Sequence, residues 1–214
     1  MRTLSIASDS ETLLADLYGD LPARRAAILV HGQHWDGSGW RDVGLQLAAR
    51  AVPALALNLR GYDGSTGMKH ASITIPTWVP PASWSPVADL RAAKQALREQ
   101  GVSEIALVGA SMGGHAVLMS SVEADIECVI SISAPVVEIP EELSRTISGR
   151  KLFVLADQDA RGNIMPNVLR AFAAATAPKT MLVFGGSEHA RGMFAAPYGA
   201  DAIAAIVDFV ARGL

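Results

Sequence analysis

The segment Gly109-Ala110-Ser111-Met112-Gly113 has the residue types and spacing best suited to covalent chemistry. Serine is a weak nucleophile that becomes effective when its hydroxyl is exposed on a sharp turn and lies next to a base. An apolar run at 104–110 leads straight into this segment, and a helix predicted at 112–123 follows it. Flanking glycines allow a strand to turn abruptly into a helix, which predicts that Ser111 lies at the tip of such a turn.

A candidate base and a candidate acid for this serine occur later in the chain. His189 follows an apolar run at 180–186, and both Asp157 and Asp159 lie at or just beyond the end of the run at 151–157. The carboxyl ends of parallel strands share one edge of a sheet, where open α/β sheets place their ligands. We therefore expect the imidazole and one of the two carboxylates to lie near the serine.

The elements that must position these residues are short strands alternating with helices. Six nearly unbroken apolar runs are typical of parallel strands covered by helices on both faces, and they span 26–31, 52–59, 104–110, 128–134, 151–157 and 180–186. The segments 2–8 and 12–18 predict an additional hairpin. Helical patterns fill the gaps at 40–50, 86–100, 112–123, 164–176 and 198–212. This alternation predicts a single α/β domain over residues 1–214, with a mostly parallel, doubly wound sheet of about seven to eight strands.

Composition excludes several classes of function. Of the 214 residues, 50% are hydrophobic and 18% are charged, so the chain is expected to fold around a large core. The net charge of −3 without a basic stripe argues against nucleic-acid binding. No apolar run approaches the roughly 18 residues of a membrane span, and no signal peptide is evident, so we expect a cytoplasmic protein. The richness in Ala, Arg and Gly suggests a bacterial source.

Over nearly its whole length the chain resembles the α/β-hydrolase superfamily. The Gly-x-Ser-x-Gly segment matches its nucleophile elbow, and Val30-His31-Gly32-Gln33 is similar to its His-Gly oxyanion turn. The segment from Asn58 to Ser65 resembles the family's D-x-R-G-x-G-x-S, with Asn58 and Asp63 as departures. Ala156 stands where many relatives have glycine. These departures alter backbone shape and remove no reactive group.

The resemblance implies a role for each site residue. Ser111 would be the nucleophile, His189 the base and Asp159 the acid, because the family spacing selects the later of the two aspartates. The backbone N–H groups of Gln33 and Met112 would form the oxyanion hole. The implied protein is a small serine esterase similar to dienelactone hydrolases, acting on a small-molecule carboxylic ester or thioester. It would need no cofactor and no metal.

Larger members of the family insert a cap domain, for which this chain lacks the room. The connection at 134–150 is too short for a multi-helix cap, so the long link at 60–85 is the only substantial cover for the site. Trp78 and Trp84 in that link could line an acyl pocket or could pack the link onto the sheet. Our hypothesis is that at least one of them contacts substrate.

The remaining histidines and the cysteine are assigned structural roles. His31 and His34 are three residues apart but lack a third ligand, so no metal site is expected. His115 is expected to be packed or solvated, and His70 to be a surface residue of the long link. The single cysteine, Cys128, is expected in the core.

Two other functions stay open: a non-catalytic ligand-binding or scaffold protein on the same fold, and an acyltransferase or lyase that uses the same triad. The sequence predicts no oligomeric state.

Overall fold

A computed structural model describes residues 1–69, 84–122, 126–135, 139–162 and 164–212. The strands are β1 (Arg2–Ser8), β2 (Glu11–Tyr18), β3 (Arg25–Val30), β4 (Ala54–Leu57), β5 (Glu104–Ala110), β6 (Ile126–Ile132), β7 (Arg150–Ala156) and β8 (Lys179–Phe184). The α-helices are α1 (Arg41–Ala49), α2 (Ser85–Glu99), α3 (Met112–Met119), α4 (Glu141–Thr146), α5 (Ile164–Ala174) and α6 (Gly199–Ala211). Within these ranges, 3₁₀ helices span Gly37–Trp40 and Ala190–Ala195. In the described ranges, no helix has the length and apolarity needed to cross a membrane.

The strands form one sheet in the order β1-β2-β4-β3-β5-β6-β7-β8. The hairpin β1–β2 and the β2–β4 pair are antiparallel, and the other five pairs are parallel. In the parallel part Val30 lies beside Gly109, and Ala110 lies beside Ile132. The carboxyl ends of β3, β5 and β6 therefore coincide at one edge of the sheet. The predicted mostly parallel sheet of seven to eight strands is confirmed, and the described residues form no large cap.

Helices cover both faces of the sheet and bury two cores. On β3, Ile28 and Val30 belong to the core that includes residues of α2, α3 and α5, whereas Ala27 and Leu29 belong to the core that includes residues of α1 and α6. All four side chains are fully buried. Residues pointing to either face are therefore apolar, which explains why the central strands read as unbroken apolar runs.

Two strands differ from their predicted form. β8 is an edge strand with Val183 48% exposed, so the prediction that it is covered on both faces is wrong. β6 begins two residues earlier than predicted, because it includes Glu127. That carboxylate is buried and forms ion pairs with Arg25 and Arg150, which offset the cost of placing a charge in the core.

Most helices begin and end close to the residues that the sequence predicts. Pro86 lies in the first turn of α2, and Gly101 takes the left-handed backbone (φ +85°) just beyond its end, as predicted. α3 ends at Met119, which is shorter than predicted. The short helix α4 occupies part of the 134–150 connection and was not predicted; its six residues are too few for a reliable amphipathic pattern.

Candidate active site

Ser111 occupies the turn between β5 and α3. Its backbone is left-handed, with φ +53° and ψ −118°, a conformation that is costly for a residue with a side chain. Two hydrogen bonds hold the turn: the Ser111 N–H donates to the Ile132 carbonyl at 2.8 Å, and the His115 N–H donates to the Ser111 carbonyl at 3.0 Å. The turn is thereby fixed to the end of β6, and its strain is maintained by the surrounding structure.

Gly113 allows this turn to lie directly against the end of β3. A Cβ at Gly113 would collide with the carbonyl oxygen of Val30 and would lie 2.7 Å from that of His31. A side chain here would push α3 away from the segment that follows β3. The second glycine of the motif is therefore required by a close approach of two backbones.

Ser111, His189 and Asp159 form one continuous line of hydrogen bonds. The Ser111 hydroxyl lies 2.9 Å from Nε2 of His189, and Nδ1 of His189 lies 2.9 Å from both carboxylate oxygens of Asp159. The Asp159 side chain is fully buried, whereas the His189 side chain is 18% exposed. A proton can pass from the hydroxyl to Nε2 while the carboxylate holds the proton on Nδ1.

The surroundings of Asp159 favour its ionised form. Burial by itself raises the pKa of this carboxyl, but hydrogen bonds from His189, from the Arg161 N–H at 2.9 Å and from the Ser133 hydroxyl outweigh it. The net result is a pKa of Asp159 below its usual value. Asp159 is therefore an anion at neutral pH and can stabilise an imidazolium at His189.

Asp157 has a different role from its neighbour. It is exposed, and its Oδ1 accepts the N–H of Gly186 at 2.9 Å. Two backbone hydrogen bonds run beside this contact, from Gln158 N–H to the Gly186 carbonyl and from Ala160 N–H to the Ser187 carbonyl, each at 2.9 Å. Asp157 thus ties together the two loops that carry Asp159 and His189.

The two residues whose N–H groups are predicted to form the oxyanion hole, Met112 and Gln33, follow β5 and β3 respectively. Met112 is the first residue of α3, so its N–H has no partner within the helix. Gln33 lies in the turn after β3, and the Tyr62 hydroxyl donates to the Gln33 carbonyl at 2.9 Å. This contact fixes the peptide plane that follows Gln33 and stiffens the turn. Tyr62 lies within the Asn58–Ser65 motif, but its partner was not evident from sequence.

His31 connects this turn to the segment after β4. Its Nε2 accepts the Leu59 N–H at 3.1 Å, and its Nδ1 donates to the Gly32 carbonyl at 2.7 Å. Both ring nitrogens are therefore engaged by backbone, and burial lowers the pKa of His31 to about 4. His34 is exposed and lies apart from that network. Among the residues that the structure describes, no cluster of three or more side chains is suited to a metal ion.

Trp84 and His115 pack against each other in the core. Trp84 is 2% exposed, and its ring meets the His115 imidazole edge-on with centroids 5.1 Å apart. The His115 Nδ1 donates to the Pro135 carbonyl at 3.0 Å. This placement favours the packing role for Trp84 over substrate contact. Trp78 and His70 lie outside the described residues.

Replacing Trp84 with alanine is expected to lower the free energy of unfolding by about 3–5 kcal/mol, the usual range for a buried aromatic residue. Because the ring packs on His115, kcat/KM should fall to a similar extent for acetate, butyrate and hexanoate esters. Urea unfolding and a chain-length series measure the two effects. A selective loss for the longer esters at unchanged stability would instead place Trp84 in an acyl pocket.

Two buried neutral histidines predict a loss of stability in acid. Burial lowers the pKa of His31 and of His115 to about 4, against about 6.5 in an unfolded chain. Between these values the unfolded state binds protons that the folded state does not, so stability falls as the pH drops from about 6.5 to about 4. Each histidine contributes up to roughly 1.4 kcal/mol per pH unit. Urea unfolding across this window should show that slope, and His115→Asn should make it shallower; an unchanged slope would contradict the assignment.

Two further residues near the site were not predicted. Ser133 follows β6 with a left-handed backbone (φ +46°), is fully buried, and approaches Met193 Sδ at 3.6 Å in addition to its contact with Asp159. Trp35 lies in the turn after β3 and is half-buried. A strand-end serine and a loop tryptophan carry no local signal, and only the strand order brings them to this edge.

Comparison with known proteins agrees with this architecture. The profile of the Alpha/beta hydrolase family matches residues 27–212. A predicted CIB-like hydrolase from Thermoplasma acidophilum superposes with a TM-score of 0.78 at 18% identity, covering 99% of this chain and 98% of that one. A Pyrococcus furiosus esterase gives a TM-score of 0.75 at 15% identity, with 99% and 92% covered.

A thioesterase domain from the curacin biosynthetic pathway gives a TM-score of 0.73 at 13% identity, covering 98% of this chain and 99% of that domain. No curated protein sequence matches the chain. At these identities the structural matches establish the fold, whereas the family profile spans most of the sequence. The chain belongs to the α/β hydrolase family.

Proposed function

We propose that the protein is a serine hydrolase that cleaves carboxylic ester or thioester bonds of small molecules. The observation that carries this proposal is the hydrogen-bonded line from the Ser111 hydroxyl through His189 to Asp159. The line begins on a strained turn at the carboxyl edge of the sheet, where substrate can approach. The named activities of the structural relatives, an esterase and a thioesterase, agree with this class.

In the proposed reaction, Ser111 Oγ attacks the acyl carbon while Nε2 of His189 takes its proton. The carbonyl oxygen gains negative charge, which the N–H groups of Gln33 and Met112 stabilise. His189 then gives the proton to the departing alcohol or thiol, leaving an acyl group on Ser111. A water molecule, deprotonated by His189, attacks this acyl-enzyme and releases the acid. Asp159 stays ionised and stabilises the imidazolium in both halves.

Labelling with a fluorophosphonate, followed by peptide mapping, tests the proposal. The expected result is one modified residue, Ser111, together with turnover of acetate and butyrate esters or of acyl thioesters. Comparing oxygen and sulfur esters of the same acyl group determines which bond is preferred. An unlabelled, inactive but folded protein would favour the scaffold function, and labelling with transfer to an added acceptor in place of hydrolysis would favour an acyltransferase.

A further inference from the structure

A cleft of about 360 Å³ lies beside the oxyanion turn and is lined in part by Gln33, but the proposed reaction assigns no part of the substrate to it. The residues that line it include the aromatic Trp35 and Tyr62 and the charged Asp36, Asp63 and Lys69. None of the described residues that line it has an aliphatic side chain. Its chemistry is therefore that of a polar and aromatic surface, unlike the apolar groove that a lipid chain requires.

Trp35 is the part of this cleft that lies next to the nucleophile. A Cβ built on Gly32 would lie 2.6 Å from Nε1 of Trp35 and 3.1 Å from Cβ of Ser111. The indole N–H and the serine side chain thus border the same small volume. Within the described part of the chain, no group accepts a hydrogen bond from this indole. An indole donor without a partner among the described residues therefore lies close to the side chain of Ser111.

The Trp35 ring is held in position from several sides. Its centroid lies 5.3 Å from that of Trp40, which is fully buried, and 6.2 Å from that of His31. The Arg191 guanidinium lies 5.7 Å from the Trp35 ring centroid. A donor fixed in this way loses little conformational entropy when a ligand binds.

We propose that this cleft receives an oxygen-bearing part of the substrate, adjacent to the ester bond, and that Trp35 Nε1–H donates a hydrogen bond to that oxygen. This inference rests on the proposed hydrolase function and adds a substrate class to it: short, oxygen-substituted esters over alkyl esters of the same length. An alkyl chain in the cleft would remove water from Asp36, Asp63 and Lys69 and would leave the indole N–H unpaired. A site built around a hydrogen-bond donor favours substrates that carry the acceptor over those that lack it.

Two pairs of esters that differ only by an ether oxygen in place of a methylene test the proposal. Methyl methoxyacetate against methyl butyrate probes the acyl side, and 2-methoxyethyl acetate against butyl acetate probes the alcohol side. Each kcat/KM is divided by the rate of alkaline hydrolysis of that ester. We expect the protein to prefer the ether-containing member of at least one pair by roughly 3- to 10-fold, the effect of one net hydrogen bond.

Trp35→Phe keeps an aromatic ring and removes the donor. We expect it to abolish this preference, because kcat/KM for the ether-containing ester should fall by roughly 3- to 10-fold relative to that for its alkyl counterpart. Trp84→Phe makes the same replacement at a tryptophan packed in the core and should retain the preference. Equal effects of Trp35→Phe on both members of both pairs, or a preference of the unaltered protein for the alkyl esters, would overturn the proposal.

A binding measurement separates this proposal from the hydrolase function. In the Ser111→Ala protein, the ¹⁵N–¹H resonance of the Trp35 indole, identified by its loss in Trp35→Phe, should shift on addition of an ether-containing ester and not of its alkyl counterpart. A shift in Ser111→Ala, combined with no ester hydrolysis by the unaltered protein, would support the cleft proposal and reject the hydrolase function. Ester hydrolysis without a shift and without an ether preference would reject the cleft alone.

Discussion

Replacing Ser111 with alanine is expected to lower kcat for ester hydrolysis by a factor on the order of 10⁶, as removal of the nucleophile does in serine hydrolases that use a triad. The substitution deletes the atom that attacks the acyl carbon, and it leaves His189 with only water to activate. The fold should persist, because alanine meets the same backbone strain at φ +53° and the Ser111 carbonyl bond to the His115 N–H needs no side chain. Initial rates on an acetate ester and thermal melting measure the two quantities.

Ser133→Ala is the matched control for this experiment. Ser133 is also a serine with a left-handed backbone at the end of a parallel strand, and it lies at the end of the strand next to that of Ser111. In the proposed reaction the Ser133 side chain contacts Asp159 and not the acyl carbon. We therefore expect the Ser133→Ala protein to keep fluorophosphonate labelling and to lose at most about tenfold in the rate of ester hydrolysis. Comparable losses of activity in the two variants would mean that disturbing the ends of these strands is enough to lower the rate. Ser111 would then no longer be assigned as the nucleophile.

The parts of the fold that the sequence predicts are those governed by local rules. The unbroken apolar runs predict the central parallel strands because each strand is buried on both faces, as β3 illustrates with Ile28 and Leu29 in opposite cores. The glycines around Ser111 predict a tight turn because the close approach at Gly113 leaves no space for a Cβ. Proline and glycine likewise mark both ends of α2.

The features that escape prediction depend on partners distant in the sequence. Glu127 lies outside the predicted apolar run at 128–134, yet β6 contains it because Arg25 and Arg150 from two other strands pair with its carboxylate. The sequence leaves open whether Trp84 lines a pocket or packs the link, and its contact with the His115 imidazole in α3 favours packing in the core. Trp35 carries no motif, and its closeness to Ser111 arises from the packing of one strand-end turn against another.

The two neighbouring aspartates show how spacing and geometry combine. Family spacing selects Asp159 as the acid, and in the structure this carboxylate lies 2.9 Å from Nδ1 of His189, whereas Asp157 binds the Gly186 N–H. Spacing alone does not say what the other aspartate does. Its contact shows that it stabilises the loop that carries His189, so both residues affect the imidazole, one by charge and one through the backbone.

Replacing Asp159 with asparagine is accordingly expected to lower kcat by a factor on the order of 10⁴. The side-chain amide of asparagine would donate to Nδ1 of His189, which forces the ring proton onto Nε2. An imidazole protonated at Nε2 cannot accept the proton of the Ser111 hydroxyl, and no carboxylate would remain to stabilise the imidazolium. Substrate binding should be little changed, so the loss should appear in kcat and not in KM.

Asp157→Asn is the control with the same chemical change two residues away. The asparagine side-chain oxygen can still accept the Gly186 N–H, so the two loops stay tied and the rate should fall less than about tenfold. Initial rates of the two variants on one ester, beside their melting temperatures, make the comparison. The opposite ranking, with Asp157→Asn slow and Asp159→Asn nearly normal at equal stability, would transfer the acid's role to Asp157. It would also mean that the 2.9 Å contacts between Asp159 and His189 position the ring without serving the proton transfer.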